Sequence, residues 1–383
     1  MTRPLAGPQT LLRTMNTRAI LEALARRGAL TRAELMQETG LSRTAVTQVL
    51  RMLESRDAVA AAGVDKATKG PAATRVGLNP RLGLAAAIHI DHHDIHVVLL
   101  DATGAVRAEA HGPLPVVVDR VEAIAALLDE CRATTTAPVL VAVVAVPGIV
   151  RADGEIRDDQ GPDGGAFRAA LSDRLGCPVR IENDVNLAAL AELSGPIGEQ
   201  HQGFALLLLD DGLGAAYIID GALHRGISGI AGEVNYLPQP PLPIGAPVLG
   251  HAVTADLALV AGRDPSLPLP AHLGAAAAGD ESARVMTAEI ARRLVLIAGS
   301  ITLVLDPGLI VLAGDAAHPV LFDAVRAAAE EFDAQLPMPF ASSAFGAEAP
   351  LVGAVSEATE ALRATLFTRI VTPESSRTPS SRT

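Results

Sequence analysis

Aromatic side chains make up only 2% of this chain, and tryptophan is absent. With hydrophobic residues at 49%, a large core is available, but it must be packed from Ala, Val, Leu and Ile. Only two cysteines occur, Cys131 and Cys177, far apart and in no metal-like spacing. That excludes a disulfide framework and points to a reducing cytoplasm, with both thiols as small buried hydrophobes. No apolar run reaches membrane-spanning length without polar interruption, and no charged-then-apolar signal opens the chain. No membrane partner and no export are therefore expected. Lysine is almost missing: Lys66 and Lys69 are the only two.

What is present divides by charge. Residues 1–80 hold twelve Lys and Arg against six Asp and Glu, a net +6 in a chain whose total is −12. The remainder is thus at −18, and phosphate would repel it. A basic N-terminal module on an acidic body fits nucleic-acid contact through that module alone. At 383 residues the chain has room for two or three domains.

The stretch Thr31 to Arg56 predicts two short helices joined by a tight turn. Gly40 suits a left-handed helix end, and Ser42 suits the cap of the next helix. On that second helix Val46, Val49, Leu50 and Leu53 recur at helical spacing as one apolar face. Arg43, Thr44, Thr47, Gln48 and Arg51 fall on the other face, where their donors can reach base edges and phosphates in a major groove. The plain alternative is a helical hairpin with a solvated polar face. An apolar strand after Arg56, a turn carrying Lys66, Lys69 and Gly70, and a strand through Arg75 to Leu78 follow. They read as a hairpin wing with a basic tip. A helix from Asn16 to Arg27 completes a winged helix-turn-helix over residues 1–80, preceded by a loose arm at 1–11. The expected DNA contacts are Ser42, Arg43, Thr44, Thr47, Gln48, Arg51, Lys66, Lys69 and Arg75.

Beyond a short linker at 79–83 the pattern is α/β. Strands are expected in AAAIHI and IHVVLLD, with Asp91 to Asp94 as the turn, and a third strand follows ATGAV. Helices are expected at 121–134, 166–175, 185–193, 282–305, 324–332 and 352–367. The run PVLVAVVAV predicts a strand covered on both faces. FALLLLDDGLGAAYIIDGALH repeats the earlier strand–turn–strand opening, with a tight turn at Asp220-Gly221, so an internal duplication is expected. Residues 372–383 lack apolar periodicity and are expected to be a disordered tail.

Four stretches carry a family resemblance: IENDVN at 181–186, GALHRGISGIAGEV at 221–234, LDPGLIVLAGD at 305–315 and FGAEAPLVGAV at 345–355. With the winged module before them, they make the chain resemble the transcriptional regulators of the ROK family (repressors, open reading frames and kinases). The resemblance implies an actin-like domain over 83–371 with two lobes around a cleft. The first lobe would span about 83–185 plus the final helix, and the second about 186–350. It also implies that Asn183, Asp184 and Glu233 hold sugar hydroxyls, and that Asp184 matches the kinases' catalytic base. Carboxylates and an amide suit a polyol through paired hydrogen bonds. The plain alternatives are that Asn183 and Asp184 cap a helix, and that Glu233 pairs with an arginine.

Departures from the family pattern shape the functional expectation. Where family kinases carry a Gly-Gly-Thr phosphate loop, this chain has Asp91-His92-His93-Asp94. Where they carry a Gly-Thr-Gly run, it has Asp210-Asp211-Gly212-Leu213-Gly214. Carboxylates and bulky side chains there oppose a triphosphate. The family's zinc-ligating His and cysteine cluster are missing after Gly232-Glu233, and Leu249-Gly250 replaces a Leu-Glu that contacts sugar. No metal and no cofactor are expected. His89, His92, His93 and His96 cluster with Asp91 and Asp94, but adjacent residues of an extended turn point apart, which favours a solvated turn at the cleft. The expected function is a non-enzymatic DNA-binding repressor of carbohydrate metabolism. It would bind an inverted-repeat operator as a dimer in the cytoplasm and respond to a sugar effector. A sugar kinase, or a ligand-independent regulator using the second domain only to oligomerise, are the alternatives.

Overall fold

The computed structural model describes residues 8–65, 73–114, 120–151, 154–157, 164–239, 242–243, 245–331 and 336–371. The basic tip with Lys66 and Lys69, and the tail 372–383, lie outside the described residues.

The N-terminal module consists of α1 (Pro8–Arg27), α2 (Arg32–Thr39), α3 (Arg43–Ser55), β1 (Val59–Asp65) and β2 (Ala73–Leu78). Thr31 and Glu34 form a reciprocal capping box at the start of α2, and Gly40 ends that helix at φ +68°. The Ser42 side chain accepts from the Ala45 amide to cap α3. Val46, Val49, Leu50 and Leu53 are buried against Ile20, Leu24 and Leu35. β1 and β2 pair antiparallel, and Leu30 bridges Val76 to tie the wing to the helices. α1 begins at Pro8, so residues 8–11 are helical where a loose arm was expected.

The first half of the remainder carries β3 (Leu84–Ile90), β4 (Asp94–Leu100), β5 (Val106–Pro113), α4 (Arg120–Arg132) and β6 (Val139–Val146). It continues with β7 (Ile149–Val150), β8 (Ile156–Arg157), α5 (Gly164–Leu175), β9 (Val179–Asn183), α6 (Asp184–Ser194) and α7 (Pro196–Gln200). The second half carries β10 (Phe204–Leu209), β11 (Leu213–Ile219), β12 (Ala222–His224), α8 (His251–Val260), α9 (Leu269–Ala277) and α10 (Glu281–Leu305). It ends with β13 (Ile310–Gly314), α11 (Pro319–Ala329), β14 (Phe340–Ser342) and α12 (Ala349–Val371).

The duplication is visible in the topology. One sheet runs β5-β4-β3-β6-β9 and the other β12-β11-β10-β13-β14. In both, the first three strands in sequence are antiparallel and the last two add in parallel. Asp220 and Gly221 both have positive φ, as a tight hairpin between β11 and β12 requires. Alternate residues of each strand face opposite ways and so meet different helices. Ala85, Ala87, Val141 and Val143 pack on α12, while Ala86, Ile88, Ala142 and Val144 pack toward α4 and α5. Leu206 and Leu208 pack with Val185 and Ala189 of α6, while Leu207 and Leu209 pack toward α10. The layers therefore run α4/α5, first sheet, α12 with α6, second sheet, α10/α11. Every residue of β6 is buried, as its unbroken apolar run demands.

Several boundaries differ from expectation. α12 covers 349–371 and α11 covers 319–329, because Pro319 and Pro350 sit in first turns, where a missing N–H costs nothing. α8, α9, β14 and the β7–β8 hairpin were not anticipated. α8 has no side-chain cap, α9 is Ala-rich and weakly periodic, and the strands are three residues or fewer.

In the middle layer, a Cβ on Gly353 of α12 would lie 1.9 Å from the Leu187 carbonyl oxygen of α6. Backbone cannot yield as a side-chain tip can. Gly353→Ala should therefore lower the melting temperature by many degrees or abolish soluble expression. Gly274 of α9 has open space around its Cα. Gly274→Ala should leave the melting temperature unchanged or raise it, since alanine is favoured over glycine in a helix by roughly 0.5–1 kcal/mol. Thermal unfolding of both variants checks the contrast.

Candidate functional sites in the module and the cleft

Ser42, Arg43, Thr44, Gln48 and Arg51 are exposed along one side of α3. Arg43 and Arg51 are both exposed on this side of α3. Thr47 is half-buried, and its hydroxyl donates back to the Arg43 carbonyl at 2.8 Å, which fixes its rotamer. Arg75, expected as a DNA contact, also has partners inside the module. Its guanidinium donates to the Ala29 carbonyl at 2.7 Å and to Glu34 at 2.9 Å, fastening the wing to α2. Glu34 is held below the usual carboxylate range, chiefly by the Thr31 backbone amide and also by Arg75.

The two sheets present their turns to a common cleft of about 910 Å³. The β3–β4 turn supplies Asp91 and His92, and the β10–β11 turn supplies Asp210, Asp211 and Gly212. The start of α6 supplies Asn183 and Asp184, the signature segment Glu233, Asn235 and Tyr236, and the end of β13 Asp315. His93 spans the cleft mouth, its Nε2 lying 3.3 Å from a carboxylate oxygen of Asp211. Thus Asn183 and Asp184 line one cavity with Glu233, which is distant from them in sequence. Asp315, Asn235 and Tyr236 join them without having been singled out from sequence. Asp315 could have been found, because it ends the strand of a recognised family motif.

The local chemistry of the first turn is unlike a phosphate loop. One carboxylate oxygen of Asp91 accepts from the amides of His93 and Asp94, at 2.7 and 2.6 Å. The N–H groups that would cradle an anion are already satisfied by the turn's own carboxylate. In the second turn, Gly250 has φ +118°, and a Cβ there would lie 2.6 Å from the Asp211 carbonyl oxygen. The neighbouring His251 amide donates to that oxygen at 2.8 Å. The Leu249-Gly250 replacement therefore has a packing reason: the acidic turn rests on this glycine.

At the start of α6, Asn183 does cap the helix, accepting from the Asn186 amide at 2.9 Å. Its amide group also donates to the Gly148 carbonyl, so it is fully oriented. Glu182, not Glu233, takes the arginine: Arg225 donates to it at 2.7 Å. That pair ties the signature segment to the α6 motif. Gly232 is indispensable beside it, since a Cβ would lie 2.0 Å from the Ala215 carbonyl oxygen. The Ala215 amide donates to the Gly232 carbonyl at 2.8 Å, which aims Glu233 at the cleft.

Asp184 keeps some surface toward the cavity, yet its carboxyl is enclosed by protein. Burial pushes it up to about 7, reinforced by Asp210 and Glu233 and opposed by the Val185 amide. Burial raises Asp315 to about 6, with Asp210 and Asp211 adding to it. The enclosing walls, then Asp211 and Asp91, push Asp210 up although its outer edge stays exposed. Burial raises Glu233 as well. The histidines diverge: His89 and His96 pair across β3 and β4, whereas His93 points across the cleft. Burial lowers His89, so it stays neutral. Among the described residues, no three His, Cys, Asp or Glu side chains are placed to hold a metal ion.

The comparisons with known proteins agree with this architecture. Residues 85–246 match the ROK family, and residues 16–59 match a winged helix-turn-helix DNA-binding domain. The chain is 22% identical over 247 residues to the xylose repressor of Bacillus subtilis, covering 60% of this chain and 62% of that protein. It is 25% identical over 246 residues to the DNA-binding transcriptional dual regulator NagC of Escherichia coli, covering 62% and 60%. The matches thus span about three fifths of those relatives' lengths. Among solved structures it superposes on a ROK family transcriptional regulator homologous to the Escherichia coli Mlc protein. The TM-score is 0.71 at 18% identity, over 94% of this chain and 99% of that one. It also superposes on a ROK family glucokinase from Streptomyces griseus in complex with glucose and AMPPNP. There the TM-score is 0.60 at 21% identity, over 73% of this chain and all of that one. The fold is therefore shared by regulators and kinases, and among the described helices none is long and apolar enough to cross a membrane. The chain thus carries a ROK family domain behind an N-terminal winged helix-turn-helix.

Proposed function

We propose that this protein is a cytoplasmic DNA-binding transcriptional regulator, a repressor whose operator affinity responds to a small polyhydroxy effector in the cleft, and that it is not a kinase. The observation that carries the reading is the Asp91 turn, whose amides are satisfied by its own carboxylate while Asp210, Asp211 and Asp315 stand nearby. A triphosphate would meet repulsion there with no free N–H cradle. The exposed face of α3 supports DNA contact, and the names of the two curated relatives fit that role. Asn183, Asp184 and Glu233 line a cavity large enough for a sugar and supply hydroxyl partners. The surrounding carboxylates favour a neutral or basic polyhydroxy compound over a sugar phosphate. A two-fold dimer would set two α3 helices about one turn of DNA apart, on an inverted repeat.

The DNA reading is tested with duplexes selected by the full chain from a random pool. Arg43→Ala and Gln48→Ala should each weaken binding about tenfold and relax base preference, as loss of one base-edge contact of roughly 1–3 kcal/mol implies. Absence of any duplex enrichment at low salt overturns it.

The cleft reading is tested by operator affinity across a sugar panel that includes D-xylose and N-acetyl-D-glucosamine. Asp184→Ala and Glu233→Ala should abolish the ligand response and spare operator binding. A response unchanged in both variants places the effector elsewhere. Calorimetry should find no ATP affinity at millimolar concentration, and measurable ATP binding would revive the kinase alternative.

The carboxylates of the cleft set a pH dependence. The native state holds the Asp184 proton up to about pH 7, whereas an unfolded aspartate releases it near its ordinary value of 3.8. Between those values the native state binds more protons, so stability falls as pH rises through the window and stays low above it. Asp315, raised to about 6, acts with the same sign. Asp184→Asn should therefore raise the melting temperature at about pH 8 and flatten its decline from about pH 5. Melting curves of both proteins across that range decide this, and parallel profiles would show that Asp184 is not charged at a cost in the native cleft.

A further inference from the structure

The two ends of α12 serve different parts of the molecule. Ala347, just before it, and Pro350 in its first turn line the cleft. Its last turns lie against α1, where the Phe367 ring sits 5.4 Å from the Arg18 guanidinium, a cation–π contact. Between the ends, α12 is locked to α6. Gly353 abuts the Leu187 carbonyl, and the Phe345 ring fills the space above Gly195. Buried Glu192 of α6 accepts from the Ser343 hydroxyl and the Ala344 amide, holding the entry to α12. α6 in turn begins at Asp184, on the cleft. A shift of either helix start is therefore carried along both helices as one body.

Arg363 is where that body meets the DNA-binding module. Its Nε donates to the Ala102 carbonyl at 2.8 Å, and its Nη2 donates to the Ala25 carbonyl of α1 at 3.2 Å. Ala25 lies in the last turn of α1, where carbonyls lack intrahelical partners and positive charge is favoured. The side chain thus caps a helix of one domain from a helix of another, 338 residues away in sequence. Glu360 orients the guanidinium from one turn earlier.

We propose that α12 is the strut that couples the cleft to the DNA-binding module, with Arg363 as the clamp that fastens α1 to it. The strut would serve the effector response proposed above and rests on that reading for its use, but coupling is reciprocal. DNA held by the module must then be felt at the cleft with no effector present.

The test is hydrogen–deuterium exchange on the full chain, alone and with a duplex it has selected from a random pool. In the unaltered protein the duplex should change exchange in residues 16–56 and, beyond the module, in residues 346–353 and 91–94. In Arg363→Ala the change at 16–56 should persist, while the remote changes shrink several-fold. A purely structural role for Arg363 would weaken near and remote changes together. Arg363→Gln, which keeps most of the side chain and one donor but not the charge, carries the test should the alanine variant lose its fold. Remote changes of equal size in variant and unaltered protein overturn the clamp, and none beyond the module in the unaltered protein overturn the strut. A silent sugar panel would instead sink the cleft reading and leave this result untouched.

Discussion

Gly353 lets two helix backbones touch where any side chain would hold them apart. On that contact rests the middle layer of the molecule, because α12 faces one sheet and α6 the other. The two halves of the duplicated domain are thereby joined through a pair of helices as well as through the chain. The cleft opens at the end of that layer, so its floor is made of helix starts. Asp184 and Pro350 are consequently placed by packing deep in the core, and loop conformation has little say in their position.

The electrostatics of the cleft follow from what replaced glycine in its turns. Glycine-rich turns leave amides facing the cavity, and an anion completes them. Here a carboxylate of the chain completes one turn, and the second rests its acidic tip on Gly250. The cleft is thus lined by carboxylates of the chain itself. Its cost appears in the raised proton affinity of Asp184, Asp210, Glu233 and Asp315. A ligand that donates hydrogen bonds or carries positive charge would relieve that crowding.

Much of this was legible in the sequence. Strong amphipathic spacing gave α3 its face, the turn dipeptide Asp220-Gly221 marked its hairpin, and repeated strand–turn–strand spelling announced the duplication. That Asn183, Asp184 and Glu233 would line one cavity was legible because motifs keep their local neighbours. Asp315, Asn235 and Tyr236 were harder to see, since their membership of the cavity depends on how two sheets meet. Arg75 reads as a surface cation in one dimension, and only the fold shows Glu34 and the Ala29 carbonyl waiting for it. α8 and α9 lack the caps and periodicity on which such reading depends.

The helix α12 packs on strands β3 and β6, far earlier in the sequence, and reaches a carbonyl of α1. Contacts so far apart in sequence close late in folding, because the loop entropy between them must be overcome first. During synthesis the winged module and the first sheet emerge long before the helix that covers them. Until then Ala85, Ala87, Val141 and Val143 have no partner on that face. A ribosome that stops a few turns early would release a chain with an open apolar sheet and an unfastened DNA-binding module. Synthesis through α12 is thus a condition for covering that face of the first sheet.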